Sequence, residues 1–128
     1  MEMNFLIKAK MFILLGQVIQ GKMDSKFLYR MIVVNAKMKT NDSNFEVIKE
    51  AVTQLEISTR EENGCLDYAF SVELHDNSSI RITELWEDLQ SLQDHLKTDH
   101  VATFISSISD NPPETDAKFY EATEIEHP

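Results

Sequence analysis

A chain of 128 residues, 42% hydrophobic and 27% charged, is the size of one globular domain, and its composition is neither disordered nor fibrous. A formal net charge of −10, from 12 basic against 22 acidic side chains, argues against nucleic acid and anionic membrane surfaces as partners, because both need clustered Lys and Arg. The single cysteine, Cys65, forms no intrachain disulfide, which points to a reducing, cytoplasmic setting.

Residues 1–30 stand apart. They carry five basic and two acidic side chains, a net +3 that leaves −13 for the remainder. Their apolar run, MFILLGQVIQG at 11–21, is broken by Gly16 and Gln17, and no A-x-A cleavage pattern follows, which disfavours an export signal. The run is also shorter than the roughly 20 apolar residues that span a bilayer. Two readings of this N-terminal extension are favoured: an amphipathic helix packed on the domain, or a start upstream of the true one at Met23 or Met31. The domain proper is placed at 31–128.

MIVVNAKMK (31–39) alternates Ile32, Val34, Ala36 and Met38 with Asn35, Lys37 and Lys39, the period of a half-buried strand. Ser43 and Glu46 stand in capping-box relation, and Phe45, Ile48, Val52, Leu55 and Thr59 recur at helical spacing up to Asn63-Gly64. CLDYAFSVEL (65–74), the turn HDNSS (75–79) and SIRITELWE (79–87) read as a hairpin. Leu89, Leu92 and Leu96 mark one short helix, and Val101, Phe104, Ile105 and Ile108 a second, with Thr98 or Asp99 as a cap between them. SDNPPETD (109–116) breaks the pattern at two prolines, and AKFYEATEIE (117–126) is the last strand.

The order strand, helix, strand, strand, helices, strand predicts an α+β fold, the ferredoxin-like split βαβ sandwich, with helices on one face of an antiparallel sheet. The second face is expected to carry Tyr68 or Phe70 and Trp86, and to be buried by dimerisation.

The run REENGCLDYAF (60–70), Glu84 and Trp86 in an E-x-W, and HLKTDH (95–100) together resemble the antibiotic-biosynthesis monooxygenase family, in particular its small quinol monooxygenases. The resemblance spans about residues 31 to 126 and leaves residues 1–30 outside. It implies a homodimeric α+β barrel that oxidises quinols, polyphenols or anthrones with O₂ and uses no metal, flavin or haem cofactor. A hydroquinone anion can pass an electron to O₂ unaided, so such a protein need only deprotonate the substrate, hold it and exclude water.

His95 is the first candidate for the base, then His100, since imidazole titrates near neutrality. Five residues on a continuous helix is about 140° of rotation, so the pair is not expected to share a metal-binding face. Trp86, Glu84, Tyr68 and Asn35 are candidate substrate-binding residues. Each has a structural alternative: core or interface packing for Trp86, and an ion pair with Arg81 or Lys37 for Glu84. Nothing beside Cys65 favours a thiolate nucleophile.

Two other functions remain open on the same fold. Similar E-E-G and H-x-T-x-H segments occur in a branch that isomerises a small phosphorylated signal by proton transfer, for which Arg81, Arg60, Lys37 and Lys97 are the cations available. A non-catalytic, ligand-binding dimeric barrel is the third. A haem-degrading site is disfavoured, because only Asn35 of its three expected residues is in place, with His95 and Ile105 standing where Trp and His are required.

Overall fold

The computed structural model describes residues 30–128, so the N-terminal extension, apart from Arg30, lies outside the described residues. The described chain contains strand β1 (Met31–Lys39), helix α1 (Phe45–Arg60), strands β2 (Cys65–Glu73) and β3 (Asp76–Trp86), helices α2 (Leu89–His95) and α3 (Asp99–Ser107), and strand β4 (Glu114–Ala122). The sheet order is β2-β3-β1-β4, with all pairs antiparallel. This is the ferredoxin-like arrangement the element order predicts.

Alternation assigns the two faces of the sheet. Ile32, Val34, Ala36 and Met38 of β1 are buried, and their cross-strand partners Trp86, Ile82 and Ile80 of β3 lie on the same side. Ile48, Val52 and Leu55 of α1, Leu92 of α2, and Val101 and Phe104 of α3 close this face into one core. Tyr68 pairs with Glu84 and Phe70 with Ile82, so they too point under the helices. The expectation that Tyr68, Phe70 and Trp86 would furnish the second face is therefore corrected. Register carries all three inward, because a strand's side-chain period of two ties each to the buried residue opposite it. The outer face instead bears Val33, Asn35, Lys37, Thr83, Leu85, Lys118 and Tyr120.

Other boundaries shift for local reasons. The expected Ser43–Glu46 capping box does not form: α1 starts at Phe45 with Asn44 as N-cap, and the Asn44 side chain accepts no N–H from the helix's first turn. Asn41 Oδ1 takes the Ser43 and Asn44 N–H groups, and Asn44 Oδ1 takes that of Asn41, so two asparagines build the entry turn. Strand β3 begins at Asp76 rather than at 79. The Asp76 carboxylate accepts from Ser78 N–H, both serine hydroxyls and Lys39, which organises DNSS (76–79) as strand and holds its carboxyl far below the usual range. A register shift between Val72 and Glu73 absorbs the extra residues. Strand β4 starts at Glu114, immediately after the prolines.

Along the free edge of β2, the Arg60 Nε–H donates to Tyr68 O at 2.9 Å and Glu56 Oε2 accepts the Phe70 N–H at 3.2 Å. The two side chains, one helical turn apart, are themselves paired at 2.7 Å. Among the described residues, no helix is long and apolar enough to cross a membrane.

Candidate functional site

Three chain segments meet at one end of the core. After α1, the chain turns through Glu61–Gly64, with Glu62 N–H on Thr59 O and Cys65 N–H on Glu62 O. Gly64 holds φ +83°, a left-handed conformation that side chains resist, and its carbonyl accepts Glu87 N–H from the end of β3. Asp88 then caps α2 through Ser91 N–H and Oγ. Helix α2 stops at His95, and Thr98 caps α3 while donating its own hydroxyl back to His95 O. The helix is thus interrupted between the two histidines.

That break overturns the geometric premise applied to HLKTDH. The two rings are not rotated apart on one helix; their centroids lie 6.1 Å apart, and both reach Glu62. His95 Nδ1 stands 2.8 Å and His100 Nε2 2.5 Å from the same carboxylate oxygen, Glu62 Oε1. An ionised carboxylate only accepts, so the ring nitrogen that faces it carries a proton in each histidine, and where a ring is neutral its other nitrogen keeps its lone pair. Side-chain exposure is 3% for His95, 14% for Glu62 and 23% for His100, a gradient from core to surface. One ligand atom from each of the three lies within 4.8 Å of the others.

Behind them sits an aromatic wall. His95 stacks on Trp86 at 4.8 Å, and Tyr68 presents an edge to His95 at 5.3 Å. Trp86 Nε1–H donates to Glu84 Oε2 at 2.8 Å. This indole is the partner of Glu84, whereas Arg81 and Lys37 pair with Glu73. Burial pushes the Glu84 carboxyl up; the Trp86 bond and the charge of His95 pull it back, and Glu62 pushes it up further. Burial also raises the Tyr68 hydroxyl, with the Glu84 charge adding to it. Thr59 opposes that shift, but its buried Oγ1 has no hydrogen bond of ordinary geometry among the described residues, so its contact with Tyr68 is weak. Cys65 is pushed up to about 12 by burial, then by the charges of Glu62, Glu84 and Asp67, so no thiolate nucleophile is set up there.

Of the residues singled out in the sequence, His95, His100, Trp86, Glu84 and Tyr68 come together. Asn35 does not: it lies on the outer face, opposite Thr83 and Lys118. Glu62, which joins the two histidines, was not singled out. It is one of two adjacent acids in a loop, and only the convergence of two rings distinguishes it; its one sequence signal was membership in the REENG segment.

A cavity of 380 Å³ lies between α1 and α3, lined by Ala51, Gln54, Leu55, Asp99, His100, Thr103, Phe104 and Ser107. A second, also 380 Å³, opens between α1 and β2 over Phe45, Val52, Phe70, Val72 and Ile80, with Lys49 and Glu56 on its wall. His100 therefore connects the buried cluster to open space, and His95, 2% exposed, sits behind it.

Several solved structures share this fold. A conserved Bacteroides thetaiotaomicron protein of unknown function, described as a possible oxidoreductase, is 26% identical with a TM-score of 0.68, covering 73% of this chain and 99% of that one. A conserved Methanosarcina mazei protein is 27% identical with a TM-score of 0.67, covering 72% and 92%. A Deinococcus radiodurans protein, provisionally assigned as an antibiotic biosynthesis monooxygenase, has a TM-score of 0.70 at 24% identity, covering 75% and 96%. Comparison with curated proteins gives no match. The family model described as antibiotic biosynthesis monooxygenase matches residues 31–107, which hold β1 through α3 and every member of the cluster just described. The chain belongs to the antibiotic biosynthesis monooxygenase family.

Proposed function

We propose that this protein is a cofactor-independent monooxygenase that oxidises a quinol-like, polyphenolic or anthrone substrate with O₂, acting as a cytoplasmic homodimer. The observation that carries the reading is the Glu62–His100 pair beside the α1–α3 cavity. Glu62 accepts from Nε2, which leaves Nδ1 of His100 as the basic nitrogen. His95, too buried to meet a substrate, donates to the same carboxylate and holds it in place. The base role therefore falls to His100, with His95 and Glu62 as positioning residues. Trp86, Glu84 and Tyr68 support them from behind, and Asn35, on the outer face, is given no part in the chemistry.

The reaction asks little else of the protein. His100 takes a phenolic proton, and the resulting anion passes one electron to O₂. The two radicals combine at a carbon that bears hydrogen, His100 returns its proton to the peroxide anion, and the hydroperoxide loses that carbon's hydrogen with its outer oxygen as water to leave a carbonyl, so one oxygen atom enters the product and the other leaves as water. Ala51, Leu55 and Phe104 supply the apolar wall that an aromatic ring prefers, and Gln54 and Thr103 supply polar contacts. The cavity volume falls within the ordinary range for small-molecule sites, about 300–1,000 Å³.

The isomerase reading has less support. A phosphorylated substrate needs free cations, yet of the four considered Arg81 and Lys37 are paired with Glu73, and Arg60 with Glu56 and the Tyr68 carbonyl, which leaves Lys97 alone for a phosphate. The dimer rests on the uncovered outer face, and the free thiol of Cys65 accords with a reducing compartment.

Oxygen uptake by metal-stripped protein, offered a panel of hydroquinones and anthrones, tests the proposal. Uptake should exceed the spontaneous background and fall by about 100-fold or more in His100→Ala. Background rates across the panel, or full activity in the variant, would overturn it.

A further inference from the structure

We propose that Glu62, His95 and His100 form a binding site for a divalent ion of the zinc class, with a carboxylate oxygen, His95 Nδ1 and His100 Nε2 as ligands and a fourth position open to water. Two imidazoles and one carboxylate are a donor set that zinc accepts in sites with an open position. The three ligand atoms already lie within 4.8 Å of one another. Zinc with ligands at about 2.0–2.1 Å in a tetrahedron separates neighbouring ligand atoms by roughly 3.3–3.4 Å. The present nitrogen–oxygen separations, 2.8 and 2.5 Å, must open by under about 1 Å, and the two nitrogens, within 4.8 Å of each other, must close by up to about 1.4 Å, adjustments on the scale of side-chain rotation.

Each ligand is carried by the end of a regular element. Glu62 follows α1 in a turn pinned by three backbone bonds, His95 is the last residue of α2, and His100 is the second residue of α3, behind the Thr98 cap. The site is therefore organised before the ion arrives, and the 23% exposure of His100 gives a route in from the α1–α3 cavity. Proton accounting is simple. A nitrogen now donating to Glu62 must lose its proton to become a ligand, and each neutral ring does so by shifting that proton to its other nitrogen.

The site stands on geometry and does not depend on the oxygenase reading. Where both hold, the ion occupies Glu62 and His100 together and removes the base, so zinc inhibits.

The test uses the full chain, stripped with a chelator and titrated with Zn²⁺ against a chromophoric competitor, and separately with Co²⁺ followed in the visible region. One Zn²⁺ per chain is expected, with Kd below about 1 μM and the Co²⁺ bands of a site with fewer than six ligands. Glu62→Gln and His100→Asn, verified as folded by circular dichroism, should bind at least about 100-fold more weakly. His75→Ala, in the exposed turn between β2 and β3, should bind as the parent does. Substoichiometric binding by the parent, or undiminished binding by Glu62→Gln and His100→Asn, would overturn the site. Oxygen uptake separates the two proposals: zinc binding in a protein without uptake keeps the site and removes the oxygenase, whereas uptake insensitive to saturating zinc removes the ion from this triad.

Discussion

Gly64→Ala is the sharpest perturbation of the turn that presents Glu62. At φ +83° an added Cβ would lie 2.1 Å from Ser91 Oγ, 2.6 Å from Ser91 Cβ and 2.9 Å from Glu87 Cγ. The left-handed conformation costs an alanine about 1–2 kcal/mol. Overpacking against the first turn of α2 adds about 1–3 kcal/mol, which makes the whole about 2–5 kcal/mol. At roughly 4 °C per kcal/mol for a domain of this size, Tm should fall by about 8–20 °C in a calorimetric or circular-dichroism melt. The steric share is separable, because Ser91→Gly removes both of the closest atoms. Ser91→Gly alone destabilises, through the lost Asp88 bond and helical glycine, but a double-mutant cycle subtracts that cost. The cycle should show a favourable coupling of about 1–3 kcal/mol between the two substitutions, the conformational share persisting. A fall in Tm below about 4 °C, or no coupling, would refute the claim that this turn is held by contact with α2.

Three further outcomes are expected. Because burial raises the Glu84 carboxyl, the folded state holds that proton more tightly than the unfolded chain; its contribution is present below the unfolded Glu value, about 4.3, and is lost as pH rises through the raised one. Glu84→Gln, which keeps an acceptor for the Trp86 indole, should therefore be more stable than the parent in urea at pH 7.5 and lose that advantage near pH 4; an equal difference at both values would contradict this. Cys65, with its thiol near 12, should react with iodoacetamide at pH 8 more than about 100-fold slower folded than in urea, and matched rates would contradict the burial. In sedimentation at micromolar concentration the parent should be a dimer and Leu85→Arg, on the outer face, should shift toward monomer; a monomeric parent would remove the outer face as an interface.

What was legible in the sequence was whatever period and punctuation encode. The alternation of Ile32, Val34, Ala36 and Met38, the three-and-four spacing of Ile48, Val52, Leu55 and Thr59, and the turn at Gly64 each report a local steric rule, and the fold follows from their order. The face carrying Tyr68, Phe70 and Trp86 was not legible, because alternation says that sides differ without saying which is covered; pairing register decides that. The start of β3 was hidden by the polarity of DNSS, whose side chains bond one another inside the strand. In the site, the histidines were visible as residues of interest, and Thr98 was visible as a cap. Their convergence was not, since it needs the helix break and a carboxylate from a loop 33 residues away in the chain.

The Glu56–Arg60 pair along β2 also bears on how copies of this chain can associate. An edge strand offers unsatisfied N–H and C=O groups that invite a neighbour's strand, and such continuation across molecules is a route to fibrous aggregates. Here the Tyr68 carbonyl and Phe70 N–H on that edge are already occupied by side chains from the preceding helix. A second molecule adding itself beside β2 would first have to strip away both bonds and separate the guanidinium from its carboxylate. Sheet extension is thereby discouraged on this flank, and association is steered toward the open face or the β4 border, where assembly can close on itself instead of propagating.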